Sequence, residues 1–397
     1  MTFDTRTLGL GTAELLGFGE PTHLEPAFAW TRNDLFAELA GRFRSIALET
    51  DRVAALAVDE YVRHGAGTLE SAMAEGFSHG FGELDANRQL VAWMREYNEH
   101  RPAEERLAFH GFDASLETMN VPSPRRYLEY VRDYLGLDYD LAALAGADDR
   151  WHRTEAVLDP AESPGATTEA AALRGYADEM DIDLHTRAPE LMAKTSRADW
   201  FRAETHLRAG LGLLTYHKQA ASQAEQEARW TRMCATRDVL MAQNLLDIRR
   251  IEAGRGATLV FAHNLHLQRN RSHMRMGEMN LDWYSAGAII GSMVGSRYSV
   301  VIGSLGRDET IGLPEPAAGT YESFLQSRIA ARDFIGPGEL PAAARRTDHT
   351  SAHGYFPLDG ATVQAADAVL HIHDGAVIRS SGRDEVSVER PANADRG

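Results

Sequence analysis

In the stretch LLGFGEPTHLE (residues 15–25) an apolar run stops at a glycine, and Glu20 and His23 follow within four residues. A histidine beside carboxylates has its charged form stabilised, so its basicity rises and it can take a proton from water. The same arrangement of apolar run and polar tip recurs. SIALET from Ser45 carries Glu49 at its end, LAFHGFD from Leu107 ends on Asp113, and ATLVFAHNLH from Ala257 ends on His263 and His266. A second histidine in such a group can protonate a leaving group or hold an oxyanion, and two glutamates can fix the imidazole tautomers. That chemistry suits attack of water on an ester or lactone. It equally suits proton abstraction in an elimination or a cyclisation.

For these tips to meet, the runs must be parallel neighbours in one sheet, because such sheets bind ligands beyond the carboxyl ends of their strands. Two more runs, YSVVIGS from Tyr298 and AVLHIH from Ala368, complete the expected sheet. Between the runs lie helical patterns. Residues 26–40 space Phe28, Leu35, Phe36 and Leu39 on one face, residues 53–63 do so through Val53, Leu56, Val58 and Val62, and residues 84–100 through Leu84, Leu90, Val91 and Met94. The alternation predicts an α/β fold, a mostly parallel central sheet flanked by helices. Residues 122–254 lack strand-like runs, and 196–253 contain no proline and read as one or two long helices. The expected organisation is an α/β catalytic core over 1–121 and 255–374, a helical subdomain over 122–254 forming a cleft, and a polar C-terminal tail over 375–397.

Other constellations are weaker. GFSHG at 76–80 matches G-x-S-x-G around Ser78, but its lead-in TLESAMAE is helical where a nucleophile elbow needs a strand, so Ser78 is read as a loop or capping residue. VIGSLG around Ser304 lacks the first glycine. His110 lies inside a strand run and is read as a core histidine, while His206 and His217 fall on the long helical segment as solvated or cleft-facing side chains. Arg52 pairs with Glu49, with substrate or in a surface ion pair. Tyr355 and Phe356 are read as packing residues. Two His and two Glu could hold a divalent ion, but no H-E-x-x-H is present, and His263 and His266 at i, i+3 need not converge on one ion. No cofactor is therefore expected, a divalent metal being the rival. Neither phosphate-binding glycine motif occurs, so no nucleotide is expected.

The net charge of −17 over 397 residues argues against nucleic acid, whose phosphates need positive patches, and is read as serving solubility. The single cysteine, Cys234, excludes an internal disulfide and fits a reducing compartment. The start MTFDTRTLGLGTAE has no basic segment followed by an apolar one, and no run of about 18 apolar residues occurs, so neither signal peptide nor membrane span is expected. A cytoplasmic protein with a small-molecule or modified-peptide substrate is the expectation; the oligomeric state is left open.

Several of these stretches, in this order, resemble the erythromycin esterase family: GEPTH at 19–23, IALET with Glu49, the helix end WMREYN, FHGFD with Asp113, RDVLMAQNL from Arg237 and FAHNLH at 261–266, extended by HGYFPLD and AVLHIH. The resemblance implies a macrolide-type lactone hydrolase, with antibiotic resistance or secondary metabolism as its setting. It implies water activated by a histidine, without a covalent serine. By that likeness His23 is the general base, Glu20 and Glu49 orient it or the water, and His263 assists as acid or oxyanion partner. His266, Asn264, Arg52 and Asp113 are expected to bind substrate. Leu24 follows His23 where many members have glycine, which changes the pocket entrance. A biosynthetic lyase or cyclase, and a non-catalytic binding protein, are the alternatives carried forward.

Overall fold

The computed structural model describes residues 10–117, 119–349 and 354–378. Its centre is a seven-stranded sheet built from β1 (Leu15–Glu20), β2 (Phe43–Asp51), β3 (Ala108–Asp113), β4 (Ala257–His263), β7 (Tyr298–Arg307), β8 (Arg332–Ile335) and β9 (Ala368–Asp374). The order is β3-β2-β4-β1-β7-β9-β8, and every pairing is parallel except β8 with β9. β5 (Arg271–Met276) and β6 (Met279–Tyr284) form a separate antiparallel hairpin.

The inner strands are apolar on both faces because both are covered, as unbroken runs require. On one face Leu16, Phe18, Ile46, Leu48 and Leu259 pack with the helices Ala27–Leu39 and Asp85–Glu99. On the other, Leu15, Ala47, Val260 and Val300 pack with Met241, Leu245 and Ile248 of the helix Gln226–Glu252. From Arg125 to Glu252 the described regular structure is helical, dominated by Arg197–Ala220 and Gln226–Glu252. The second of these is shared. Its C-terminal half covers the sheet, and its N-terminal half, through Trp230 and Met233, joins the helical region around Tyr127, Leu213 and Tyr216. Of the tail, residues 375–378 are helical and 379–397 lie outside the described residues. No helix among the described residues is long and apolar enough to cross a membrane.

The chain runs outward from β1 to β2 and β3, returns as β4 beside β1, and then crosses to β7 and β9. The central strands β4, β1 and β7 therefore flank the point where the direction of winding reverses, the usual location of a crevice. There β1 pairs with β7 only as far as Phe18 opposite Val301. Beyond it the Asn264 amide takes the place of main chain: its Nδ2 donates to the Gly303 carbonyl at 2.8 Å and its Oδ1 accepts from the Gly303 N–H at 2.9 Å. Gly19 makes room, since a Cβ there would stand 2.2 Å from Asn264 Oδ1. Asn264 is thus a buried strap across the sheet, and its amide is not offered to substrate as expected. An Asn264→Leu protein should lose about 2–4 kcal/mol of unfolding free energy in urea titration, because two buried main-chain groups lose partners worth about 1–3 kcal/mol each.

Candidate active site

The carboxyl edge of β1, β2 and β4 brings the expected residues together. Glu20 and His263 are ladder partners at the ends of β1 and β4. His23 turns back over them from the following loop, its Nδ1 bonded to Glu20 Oε1 at 2.7 Å and its ring 5.2 Å from that of His263. Pairing between β2 and β4 stops at Leu48 opposite Phe261, and a register shift follows in β2. Past that break Glu49 substitutes its side chain for strand, accepting the His263 main-chain N–H at 2.8 Å. Its other oxygen faces Arg237 Nη2 at 3.1 Å, His266 Nε2 at 3.4 Å and His23 Nε2 at 3.7 Å.

The three imidazoles are held in different states. Burial disfavours a charged His23, but Glu49, together with the hydrogen bond and charge of Glu20, outweighs it and lifts the ring to about 9. Burial, then repulsion from the charged His23, pushes His263 down to about 3, so that ring is neutral. Its Nδ1 accepts the Leu265 N–H at 3.2 Å as the cap of the short helix Asn264–Leu267, which leaves the proton on Nε2, toward the Pro21 carbonyl. His266 is raised: burial opposes its charge, and Asp238 at 2.9 Å and Glu49 prevail. Glu49, despite burial, is drawn down to about 2 by His266, His23 and Arg237. Burial raises Glu20 in spite of its bond to His23.

Behind this group lies a second layer. Arg237 grips Asp113 with two bonds, 3.0 and 2.6 Å, and Asp113 also accepts from His79 Nε2 at 2.9 Å. His79 Nδ1 in turn meets Glu117 at 2.6 Å. His79 is the one non-glycine among the described residues with positive φ (57°), a strained backbone held by its two carboxylates. Asp238 also accepts from Trp283 Nε1 at 2.6 Å and the Ala286 N–H at 2.7 Å, which fixes it against His266. From Asp238 through His266, Glu49, Arg237, Asp113 and His79 to Glu117 the charges alternate in sign. Around His23 the walls are Phe81 at 5.3 Å and, beyond His263, Phe356 at 4.8 Å. Arg32 lies over the Phe261 ring beside Glu20.

Several assignments change. Asp113 is fully buried and committed to Arg237 and His79, so it positions Arg237 instead of touching substrate. Arg52 is neither in this cleft nor in a surface ion pair: it is buried and bonds His110 Nδ1 at 3.1 Å and the Gly111 carbonyl. His110 is a satisfied core histidine through that contact and Glu252 at 2.8 Å. His217 is not solvated but buried and bonded to the Pro122 carbonyl, and His206 stacks on Tyr130. Phe356 borders the site, whereas Tyr355 packs and bonds Glu322. Ser78 occupies a loop between helices, as read, with its hydroxyl bound by Thr50 and the Asp51 N–H. Arg32, His79, Arg237 and Asp238 were not read from sequence. The last two stand in the RDVLMAQNL stretch quoted above, where an Arg-Asp pair on a helix facing several carboxylate-tipped strands was the available signal. Among the described residues no group of three or more His, Cys, Asp or Glu side chains is arranged to hold a metal ion.

Comparison with known proteins places the family and the fold. The family model described as erythromycin esterase matches residues 40–377. Solved structures with the same fold include an erythromycin esterase mutant, EreC, in its open conformation, at TM-score 0.66 and 16% identity over 94% of this chain and 92% of that one. A succinoglycan biosynthesis protein aligns at TM-score 0.67 and 15% identity over 94% and 90%. A Bacillus cereus protein aligns at 0.65 and 16% over 92% and 90%. No curated protein matches. At such identities the structural likeness speaks for the fold.

Proposed function

Because the chain belongs to the erythromycin esterase family, we propose that it is a hydrolase that opens an ester or lactone of a natural product with water activated by His23. The observation that carries this reading is the Glu20–His23 pair. Glu20 holds Nδ1 at 2.7 Å, and Nε2, 3.7 Å from Glu49, has no direct hydrogen bond among the described residues; the pocket lined by His23, Glu20 and Glu49 holds about 20 Å³, enough for one water. His23 Nε2 takes a proton from that water as its oxygen bonds to the carbonyl carbon. The carbonyl oxygen, now an oxyanion, is met by the Nε2–H of neutral His263, which gives up the Pro21 carbonyl in exchange. Collapse breaks the ester C–O bond, and the leaving alkoxide recovers the proton from His23. No serine is acylated.

Two measurements test it. With erythromycin and with phenyl acetate, in water enriched in oxygen-18, the acid product should gain one water carrying the label; a product that has lost water, or no product, would sink hydrolysis in favour of elimination, cyclisation or plain binding. The second is the pH profile. A base held near 9 is free in roughly one molecule in a hundred at pH 7. Hence kcat/KM should climb about ten-fold per pH unit from pH 6 and level off near pH 9. A plateau already reached by pH 7 would show that another group is the base.

A further inference from the structure

Beside the catalytic cluster, between the ends of β2 and β3 and the helices Arg125–Leu135 and Asp149–His152, lies a cavity of about 400 Å³. That falls in the usual range for small-molecule sites, about 300–1,000 Å³. Glu117, which holds His79, is part of its wall, so it adjoins the charged array.

Asp51 reaches it from the end of β2. Only 8% exposed, its carboxylate is used on one side alone: Oδ1 accepts from the Val53 N–H at 2.7 Å, the Ala54 N–H at 3.1 Å and Ser115 Oγ at 2.8 Å. Among the described residues Oδ2 has no hydrogen-bond partner. That oxygen opens onto the cavity, so its donor must come from solvent or from a bound group. Across the gap, Arg126 bonds the Tyr127 hydroxyl and feels the charge of Asp51 without forming an ion pair with it.

A group filling that gap must donate to Asp51 and accept from Arg126. An ammonium can only donate and a carboxylate can only accept, whereas a hydroxyl does both. Asn120, whose main chain pairs with Glu117, and His152 offer further polar contacts, and Phe77 supplies an apolar wall for a C–H face. We infer that this cavity is a subsite for a polyhydroxylated group of the substrate, a glycosyl unit, with Asp51 and Arg126 as its anchors. The inference deepens the hydrolase reading by naming the substrate class and rests on it only in placing that unit next to the reacting bond.

The test needs no turnover. Saturation-transfer NMR on the full chain would use methyl β-glucopyranoside as the polyol, glucosamine as an ammonium source and ethyl butyrate as an ester without hydroxyls. The glycoside should bind saturably, and both Asp51→Asn and the exposed-side-chain variant Arg126→Met should weaken it by about ten-fold or more, leaving ethyl butyrate unchanged. Arg126→Met removes no helix-capping contact, so it carries the test if Asp51→Asn does not fold. Absence of saturable glycoside binding, or binding indifferent to Arg126, overturns the subsite. Glucosamine binding without the glycoside overturns the polyol in favour of a cation. Either result leaves hydrolysis of phenyl acetate, measured separately, untouched.

Discussion

A His23→Asn protein should turn over its ester about 10²–10⁴ times more slowly than the parent, the usual contribution of a general base, while binding the same substrate within a few-fold. Among the side chains that meet at Glu49, His23 is the most exposed, 35% accessible, and among the described residues Glu20 is its one hydrogen-bond partner. Its removal therefore disturbs little packing, and asparagine still offers Glu20 a donor. Steady-state kinetics beside calorimetric titration of the ligand separates the two effects. Turnover within ten-fold of the parent would remove His23 as the base, and equal losses in binding and turnover would point to a binding protein.

Glu49→Gln is the second large effect, and it acts on both chemistry and stability. Glu49 is buried under contacts with Arg237, His266, His23 and the His263 main chain. Breaking a buried ion pair from one side costs about 3–5 kcal/mol, because the cations keep their charge and lose their partner. The sign with pH follows from the shift. Glu49 is depressed in the folded protein to about 2, so its contribution is full above the unfolded value near 4.3 and fades as pH falls toward 2. The deficit of the variant in urea unfolding should accordingly be full at pH 7 and shrink steadily below pH 4. Loss of the carboxylate also lowers His23, so the rising limb of the rate profile should move toward neutrality even as the maximum rate drops. An unchanged limb would mean that Glu49 does not set the basicity of His23.

The strand tips were legible in the sequence because a parallel strand covered on both faces is an unbroken apolar word with a polar full stop. LLGFGE is recovered residue for residue as β1, and the long helices follow from a region without proline or strand runs. β8 and the β5–β6 hairpin escaped. RDFI is only four residues long and lies at the sheet edge, and RSHMRM mixes charges into its alternation because one face is open to solvent. Of the residues that converge at the candidate site, those carried by strand ends were expected from the sequence. Arg237, Asp238 and His79 were not, since their partners lie far away in sequence and a charged residue on a helix ordinarily means a solvated face. Asn264 misled for a related reason: its neighbours His263 and His266 face the cleft, but the turn into the short helix sends its amide back into the sheet.

Glu20 and His263 are neighbours in the same hydrogen-bonded ladder, and Asn264 ties the adjoining strand to them. Their separation is consequently a property of main-chain spacing and owes nothing to the loops above. A lineage can then rebuild the roof over the sheet, exchange the helices other than Gln226–Glu252, and admit new substrates with no penalty to the spacing of Glu20 and His263. A one-residue insertion within either strand, by contrast, would turn one partner to the opposite side and silence the enzyme at a stroke. A graft that keeps residues 10–24, 226–252 and 257–268 in register with β2 and β3 and imports the rest of a relative's helical region should retain water activation and acquire that relative's choice of ligand.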